Sequence, residues 1–227
     1  MRVLAIDTAL GACSAAVLDT HQGGIVARES LPMLRGHAEA LMPLIRRIMD
    51  ESGTAFRDLD RVVVTTGPGS FTGLRVGIAA ARGMALAIDK QAVGLSTLSA
   101  YAAPYLADDE KAPVVVAIDA RHSHVYLQVF AAGGRTVTGP RLAPLSEAVR
   151  AAAATPARIV GSAAQLVADG LAVTDAAPLY VDAAGAPDID WVARMGTALP
   201  EGQSPPKPQY LRAPDAQPQN AAQLPRR

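Results

Sequence analysis

The most informative stretch of the sequence is Gly67-Pro68-Gly69-Ser70-Phe71-Thr72-Gly73-Leu74-Arg75-Val76-Gly77. The apolar run before it, 61–66, predicts a buried strand, and the small-residue segment after it, 74–88, predicts a helix. Glycines permit backbone conformations that other residues avoid, and a helix start offers unpaired N–H groups to an anion. The stretch is therefore either a tight turn capped by Ser70 or Thr72 or a phosphate-binding loop. It is not a P-loop, because the Gly-Lys-Ser/Thr ending is missing.

The segments on either side of this stretch have the pattern of a mixed sheet. Apolar runs predict strands at 2–7, 13–19 and 24–30 before it and at 91–95 after it. A stripe of helical period lies between them and ends at Gly53; it consists of Leu41, Leu44, Ile45, Ile48 and Met49. Pro43 should kink or restart this helix, since proline lacks an N–H. The order βββαβαβ predicts an α/β fold with a mixed sheet flanked by helices.

The second half partly repeats the first. The run Val3–Asp7 is matched by Val115–Asp119, and each is followed by a second apolar strand, which suggests duplicated halves. Further strands are predicted at 114–119, 124–130 and 157–161, with helices near 145–153, 162–169 and 188–197. We expect an N-terminal lobe over 1–103, a smaller lobe over 104–212 and a disordered, proline-rich tail over 213–227.

Composition limits the classes of partner. Lys and Arg together number 21, as do Asp and Glu, so the formal net charge is zero, which argues against tight RNA binding by this chain alone. One cysteine, Cys13, rules out an intramolecular disulfide and suits a reducing compartment. We expect no signal peptide, because Asp7 interrupts the early apolar stretch, and no membrane span. These features predict a cytoplasmic protein.

Two sets of side chains are candidates for chemistry. Asp7-Thr8 ends the first strand, where the carboxylate would hold magnesium through water or, as is commoner, cap a turn. The candidate nucleotide or phosphate site consists of Asp7, Thr8, Gly67, Pro68, Gly69, Ser70, Phe71, Thr72 and Gly73. No catalytic nucleophile with a supporting base is visible.

The helix after the loop has a small-residue face made of Gly73, Gly77 and Ala81. Small side chains let another backbone approach closely, and this backbone could belong to the chain's own sheet or to a partner. His37 opens the first helix, but the position four residues later is Leu41 rather than a second histidine. We therefore predict no metal site.

Several of these motifs resemble one known family. Ala5-Ile6-Asp7-Thr8, His37 and the stretch from Gly67 to Gly77 closely resemble the TsaB (YeaZ) family of the bacterial tRNA threonylcarbamoyladenosine machinery. Asp119-Ala120-Arg121 with Tyr126, and Tyr210-Leu211-Arg212, fit the same family. The resemblance is strong over residues 1–100 and patchy to about 212. It implies an actin-like ATPase (ribonuclease H-like) fold with two related lobes.

The resemblance also implies a role. It predicts a non-catalytic subunit that binds and supports the catalytic paralogue TsaD, works with the ATPase TsaE, forms a homodimer when alone and meets tRNA only through the complex. It implies no cofactor of the chain's own, with ATP or ADP and magnesium at the complex interface. The interface would lie on helices at about 37–52 and 72–88. Its predicted residues are His37, Leu41, Leu44, Ile45, Ile48, Gly73, Arg75, Gly77 and Ala81.

Two other functions stay open at this point. Asp7 and Asp119 fit a nucleotide-hydrolysing enzyme or kinase of the same fold, although Asp-Thr lacks the glycine-rich first phosphate turn common in such kinases. A metallopeptidase is the second alternative, and the broken histidine pair speaks against it. Fold similarity alone excludes neither, since one fold hosts many functions.

Overall fold

A computed structural model describes residues 1–108, 111–200, 202 and 204–212; the predicted tail at 213–227 lies outside them. The first half contains strands β1 (Arg2–Asp7), β2 (Ala12–Asp19), β3 (Gly24–Pro32), β4 (Arg61–Gly67) and β5 (Gln91–Ser96), and helices α1 (His37–Ser52), α2 (Phe71–Ala87) and α3 (Thr97–Asp108). The second half contains strands β6 (Val114–Asp119), β7 (His124–Phe130), β8 (Thr136–Pro144), β9 (Arg158–Val160) and β10 (Tyr180–Asp182), and helices α4 (Leu145–Ala153), α5 (Ala164–Leu171) and α6 (Ile189–Ala198).

The first five strands form a mixed sheet in the order β3-β2-β1-β4-β5. β1 pairs antiparallel with β2 and parallel with β4, so it occupies the centre. All eight residues of β2 and five of the six in β1 are buried, which explains why these strands are continuous apolar runs rather than alternating ones. The predicted mixed sheet is confirmed.

The second sheet repeats the first. Its order, β10-β9-β6-β7-β8, read backwards is the same topology, with β6 in the place of β1. The two similar runs, Val3–Asp7 and Val115–Asp119, thus lie in the central strands of two related sheets. The internal repeat predicted from five residues is confirmed at the level of topology.

Helices α1 and α2 cover one face of the first sheet, and α6 covers the other. The apolar stripe of α1 belongs to a core cluster with Leu4, Val62 and Ile78. Ile189, Val192 and Ala193 of α6 pack with strand residues on the opposite face. α1 continues through Pro43, so of the two predicted alternatives, a kink or a restart, the restart does not occur, and Gly53 ends the helix in a left-handed conformation.

Three elements of the structure are absent from the sequence prediction. α3, β8 and β10 were not predicted: α3 follows β5 with no intervening loop, β8 is an edge strand containing Gly139 and Pro140, and β10 has only three residues. The predicted lobe boundary after residue 103 falls inside α3. α6, predicted within the second lobe, packs on the first sheet. No helix in the described ranges is long and apolar enough to span a membrane.

A buried arginine fixes α6 to the first sheet. Arg61, at the start of β4, is 3% exposed, and its Nη1 donates to the carbonyl oxygens of Gly196 and Leu199, each at 2.7 Å. The last carbonyls of a helix have no intrahelical partner and carry partial negative charge. The guanidinium therefore satisfies the end of α6 from the neighbouring sheet.

We expect Arg61→Met to lower the free energy of unfolding by about 2 to 4 kcal/mol, because two buried carbonyls lose their charged donor. Urea denaturation measures the effect. The matched control is Arg57→Met, at a side chain 88% exposed, which should change stability by no more than about 0.5 kcal/mol. Equal unfolding midpoints for the two variants would contradict the assigned capping role.

Candidate functional site

The glycine-rich loop packs directly on the end of β1. The Ser70 amide donates to the Ala9 carbonyl at 2.7 Å, and the Thr8 hydroxyl donates to the Gly73 carbonyl at 2.7 Å. A Cβ at Gly69 would lie 2.3 Å from the Ala9 oxygen, and one at Gly73 would lie 2.0 Å from the Thr8 oxygen. Both glycines are therefore required by the close approach of the chain's own backbone.

The small-residue face of α2 serves the same internal contact. A Cβ at Gly77 would meet the Thr8 hydroxyl at 2.4 Å and Val64 at 3.3 Å, and Ala81 is fully buried. Of the two alternatives for this face, the structure has self-packing. The prediction that Gly73, Gly77 and Ala81 contact a partner is wrong. These residues are buried, because they pack against β1 and β4 of the same chain.

Asp7 lies at the centre of this contact and is fully buried. Its Oδ1 accepts from the Thr65 hydroxyl and from the Ala9 amide at 3.3 Å, while its Oδ2 has no hydrogen-bond partner among the described residues. Burial raises the pKa of Asp7 to about 6, although both hydrogen bonds act to lower it. The carboxyl group is thus held in an environment that disfavours its charge.

The structure divides the candidate nucleotide residues into three groups by their exposure. Asp7, Thr8, Gly67, Pro68 and Gly73 are buried, Gly69 is partly buried, and Ser70, Phe71 and Thr72 are exposed. Ser70 caps α2, its hydroxyl accepting from the Gly73 amide at 3.3 Å, so the predicted cap is confirmed. In this conformation, only the three exposed residues at the start of α2 face solvent.

Phe71 takes part in an exposed cluster with the C-terminal segment. Its ring centroid lies 5.1 Å from that of Tyr210, and the Arg75 guanidinium lies 3.7 Å above the Phe71 ring. Arg75 Nε also donates to the Tyr210 hydroxyl at 3.0 Å. Sequence reasoning found Tyr210 only through the family resemblance, because residues 135 positions apart show no local pattern.

Residues 204–212, here called the arm, connect the two lobes. The Gln209 amide donates to the Thr66 carbonyl at the end of β4, at 2.7 Å. Three residues further on, Arg212 Nη1 donates at 2.7 Å to the carbonyl of Ala120, just after β6. The arm therefore contacts each sheet at the carboxyl end of one strand, which is β4 in the first sheet and β6 in the second.

The predicted partner stripe of α1 also needs correction. Leu41, Leu44, Ile45 and Ile48 are at most 1% exposed, because they form the inward face that covers the first sheet. His37 is buried too, with its Nε2 3.2 Å from the Leu10 carbonyl. These five residues lie inside the chain, so the prediction that they contact a partner is wrong. Arg75 alone of the predicted interface residues is exposed.

The outward sides of α1 and α2 form a different surface, here called the α1–α2 face. It is defined by Ala38, Met42, Ala79, Gly83 and Leu86. Leu86 is 83% exposed and Met42 is 50% exposed, and the exposed charged side chains of Arg82 and Arg46 lie one helical turn from them. An exposed surface of this composition is typical of a site where another protein docks.

The described part of the chain contains no group of three or more His, Cys, Asp and Glu side chains arranged to hold a metal ion. Cys13 is buried, and burial raises the pKa of its thiol to about 11. Leu41, at the place where a second helical histidine would stand, points into the core. Helices α1 and α2 therefore contain one imidazole, that of His37, and this imidazole lies next to the Leu10 carbonyl.

Comparison with known proteins agrees with this geometry. The family model of TsaD, tRNA N6-adenosine threonylcarbamoyltransferase, matches residues 13–180. A solved structure, YeaZ from Pseudomonas aeruginosa, superimposes with a TM-score of 0.77 at 27% identity, covering 92% of this chain and 99% of that one. The chain belongs to the TsaB/YeaZ branch of this family. Its fold is accordingly the α/β fold of that YeaZ structure, with two related mixed sheets flanked by helices.

Relatives by sequence fall into two groups. The tRNA threonylcarbamoyladenosine biosynthesis protein TsaB of Escherichia coli K12 is 40% identical over 126 residues, which is 56% of this chain. That match spans about half, 53%, of the length of the relative. An uncharacterized protein of Mycobacterium tuberculosis is 34% identical over 216 residues, covering 95% of this chain and 94% of its own. Similarity to the mycobacterial relative thus extends over both lobes, whereas the match to the relative named TsaB covers about half of the chain.

We expect Gly73→Ala to lower the free energy of unfolding by about 2 to 4 kcal/mol, as overpacking does when backbone must shift. Gly83→Ala, in the same helix and with open space around its Cβ position, is the matched control. It should stabilise the protein by about 0.5 to 1 kcal/mol, since alanine favours helix. Thermal and urea unfolding distinguish the two; a neutral Gly73→Ala would show that the loop does not need this contact.

The buried Asp7 also predicts a pH dependence of stability. Its pKa is about 6 when folded and 3.8 as the ordinary value, so the folded state binds more protons between these limits. Stability should then fall by about 2 to 3 kcal/mol as pH rises from 4 to 7. Asp7→Asn should remove this fall. Parallel pH-dependent slopes for the wild type and Asp7→Asn would contradict the assignment.

Proposed function

We propose that this chain is the non-catalytic subunit of a tRNA threonylcarbamoyladenosine-forming complex, in which it binds and supports the catalytic paralogue TsaD. The relatives named TsaB and the match to the TsaD family model support this role. The single observation that carries it is the enclosure of Asp7: the carboxylate that a nucleotide-hydrolysing enzyme of this fold would need is fully buried.

The docking surface in this proposal is the α1–α2 face. A helix face of small residues lets a partner helix approach closely, and the exposed Leu86 and Met42 supply apolar area to bury. Arg75 lies at the first turn of α2, at the edge of the same surface. The partner is a heterodimer-forming TsaD; in its absence, a second copy of the chain would cover the face as a homodimer.

The remaining components follow from the same proposal. TsaE joins as the ATPase, ATP or ADP with magnesium binds at the interface of the complex, tRNA binds through the complex, and the assembly works in the cytoplasm. Ser70, Phe71 and Thr72 are the loop residues exposed to such a nucleotide, whereas Asp7 is enclosed. A nucleotide-hydrolysis assay on the isolated chain separates this proposal from the rival enzyme, which would need Asp7 to reach its substrate.

The proposal is tested by Leu86→Asp, which places a charge on the α1–α2 face. We expect at least a tenfold loss of co-purification with TsaD and a matching loss of the modified adenosine from cellular tRNA, because an unpaired charge would be buried in the interface. Val173→Asp is the control, since Val173 is 90% exposed and lies in the second lobe. A Leu86→Asp chain that keeps both the complex and the modification would show that the interface lies elsewhere.

A further inference from the structure

Three consecutive residues near the end of the arm each contact a different part of the molecule. Tyr210 stacks on Phe71 and accepts a hydrogen bond from the Nε of Arg75, both at the start of α2. Leu211 packs against the buried cluster between α3 and the second sheet. Arg212 donates to the backbone carbonyl directly after β6. The Tyr-Leu-Arg segment therefore links the first lobe, the joint between the lobes and the second lobe.

The first sheet is shaped to receive the arm. Gly67, at the end of β4, has a φ of 112°, and a Cβ there would lie 2.8 Å from the Gln209 carbonyl oxygen. A Cβ at Gly94, in the edge strand β5, would lie 2.6 Å from Thr66 Cγ2 and 3.1 Å from the Cβ of Pro206, which is buried. A side chain at either position would displace the arm from the sheet. These two glycines therefore leave the space that the arm occupies.

The arm is attached by few main-chain hydrogen bonds. Residues 204–212 contain no helix or strand, and within the described ranges the Gln209 amide makes their one backbone–backbone hydrogen bond, to the Thr66 carbonyl. Lys207 is exposed, and Tyr210 is 42% exposed. A segment held mainly by side chains opens at a lower free energy than the strands around it. We therefore expect the arm to open while both sheets stay folded.

The arm holds a part of α2 that also belongs to the docking surface. Arg75, Ala79 and Gly83 are exposed and follow one another at intervals of four residues, which places them on one face of α2. Ala79 and Gly83 are members of the α1–α2 face. The Arg75 guanidinium is held by the Phe71 ring, 3.7 Å away, and by the Tyr210 hydroxyl. A partner on the α1–α2 face would therefore contact a side chain that the arm orients.

We propose that the arm is a releasable clasp between the two lobes, closed by Tyr210, Leu211 and Arg212, and that the closed clasp fixes the start of α2 for docking. When the clasp opens, Arg75 loses its hydroxyl acceptor and regains side-chain freedom, which a docking partner would have to restrict again. Because linkage is reciprocal, a partner that prefers the closed clasp also closes it. The docking part of this inference rests on the proposed function, whereas the clasp itself is a property of the isolated chain.

Opening of the clasp is measured as the rate of trypsin cleavage after Arg212 in the isolated chain, followed by mass spectrometry. A protease cuts an extended segment, so this rate reports the population of the open arm. Tyr210→Ala removes the ring contact and the hydroxyl acceptor, and we expect cleavage about 5- to 50-fold faster than in the wild type.

Tyr180→Ala is the matched control for this measurement. Tyr180 is 50% exposed and also packs on a single aromatic ring, that of Tyr105, but it lies in β10 of the second lobe. Its substitution should leave cleavage after Arg212 within about twofold of the wild-type rate. A wild-type cleavage rate in Tyr210→Ala overturns the clasp.

Urea denaturation separates a clasp from an ordinary part of the core. Local opening leaves the global unfolding midpoint of Tyr210→Ala near the wild-type value while cleavage after Arg212 accelerates. If the faster cleavage is fully explained by a loss of global stability, the arm unfolds together with the core and the proposal is overturned.

The link to docking is tested by the affinity of the chain for TsaD, measured by biolayer interferometry. We expect Tyr210→Ala to weaken binding about fivefold or more and Tyr180→Ala to leave it unchanged. Tyr210→Phe keeps a ring on Phe71 but removes the acceptor for Arg75, so its affinity should lie between those of the wild type and Tyr210→Ala. Faster cleavage with unchanged affinity in Tyr210→Ala overturns the link to docking. Failure of the wild-type chain to bind TsaD is a separate result, which contradicts the proposed function and leaves the cleavage measurement valid.

Discussion

The close approach between the end of β1 and the glycine loop determines the arrangement of the first lobe. The carbonyl oxygens of Thr8 and Ala9 occupy the positions where side chains of Gly73 and Gly69 would otherwise stand. This contact sets the distance of α2 from the sheet, encloses Asp7 and directs the exposed side of α2 outward. The two segments approach this closely because the glycines have no side chains, so the backbone of one segment contacts the backbone of the other.

The second lobe contains a related contact with a weaker sequence signal. Gly161, directly after β9, has a φ of 107°, and a Cβ there would lie 2.4 Å from the Ala117 carbonyl of β6. The Ala163 amide donates to the same carbonyl at 3.0 Å. The duplicated topology thus carries a glycine contact after the equivalent strand. A single glycine lacks the pattern that made residues 67–77 conspicuous, so the sequence offered no reason to select it.

The arm connects the two lobes through main-chain and side-chain contacts. Tyr210 joins the first turn of α2 through Phe71 and Arg75, and Arg212 joins the turn after β6. The arm thus links the start of α2 to the turn after β6, and neither lobe alone contains all the residues involved.

By itself, the sequence determined the strand–loop–helix unit, the mixed first sheet, the repeat of Val3–Asp7 and the cap at Ser70, because these depend on local periodicity and turn chemistry. Tertiary structure alone decided which surface covers an apolar stripe. Periodicity shows that Leu41 and Gly77 lie on helix faces that pack against another surface, but not whether this surface belongs to the chain's own sheet or to a partner. The tertiary structure also decided where α6 packs and which residues Tyr210 contacts, since contacts between residues more than 100 positions apart leave no local pattern.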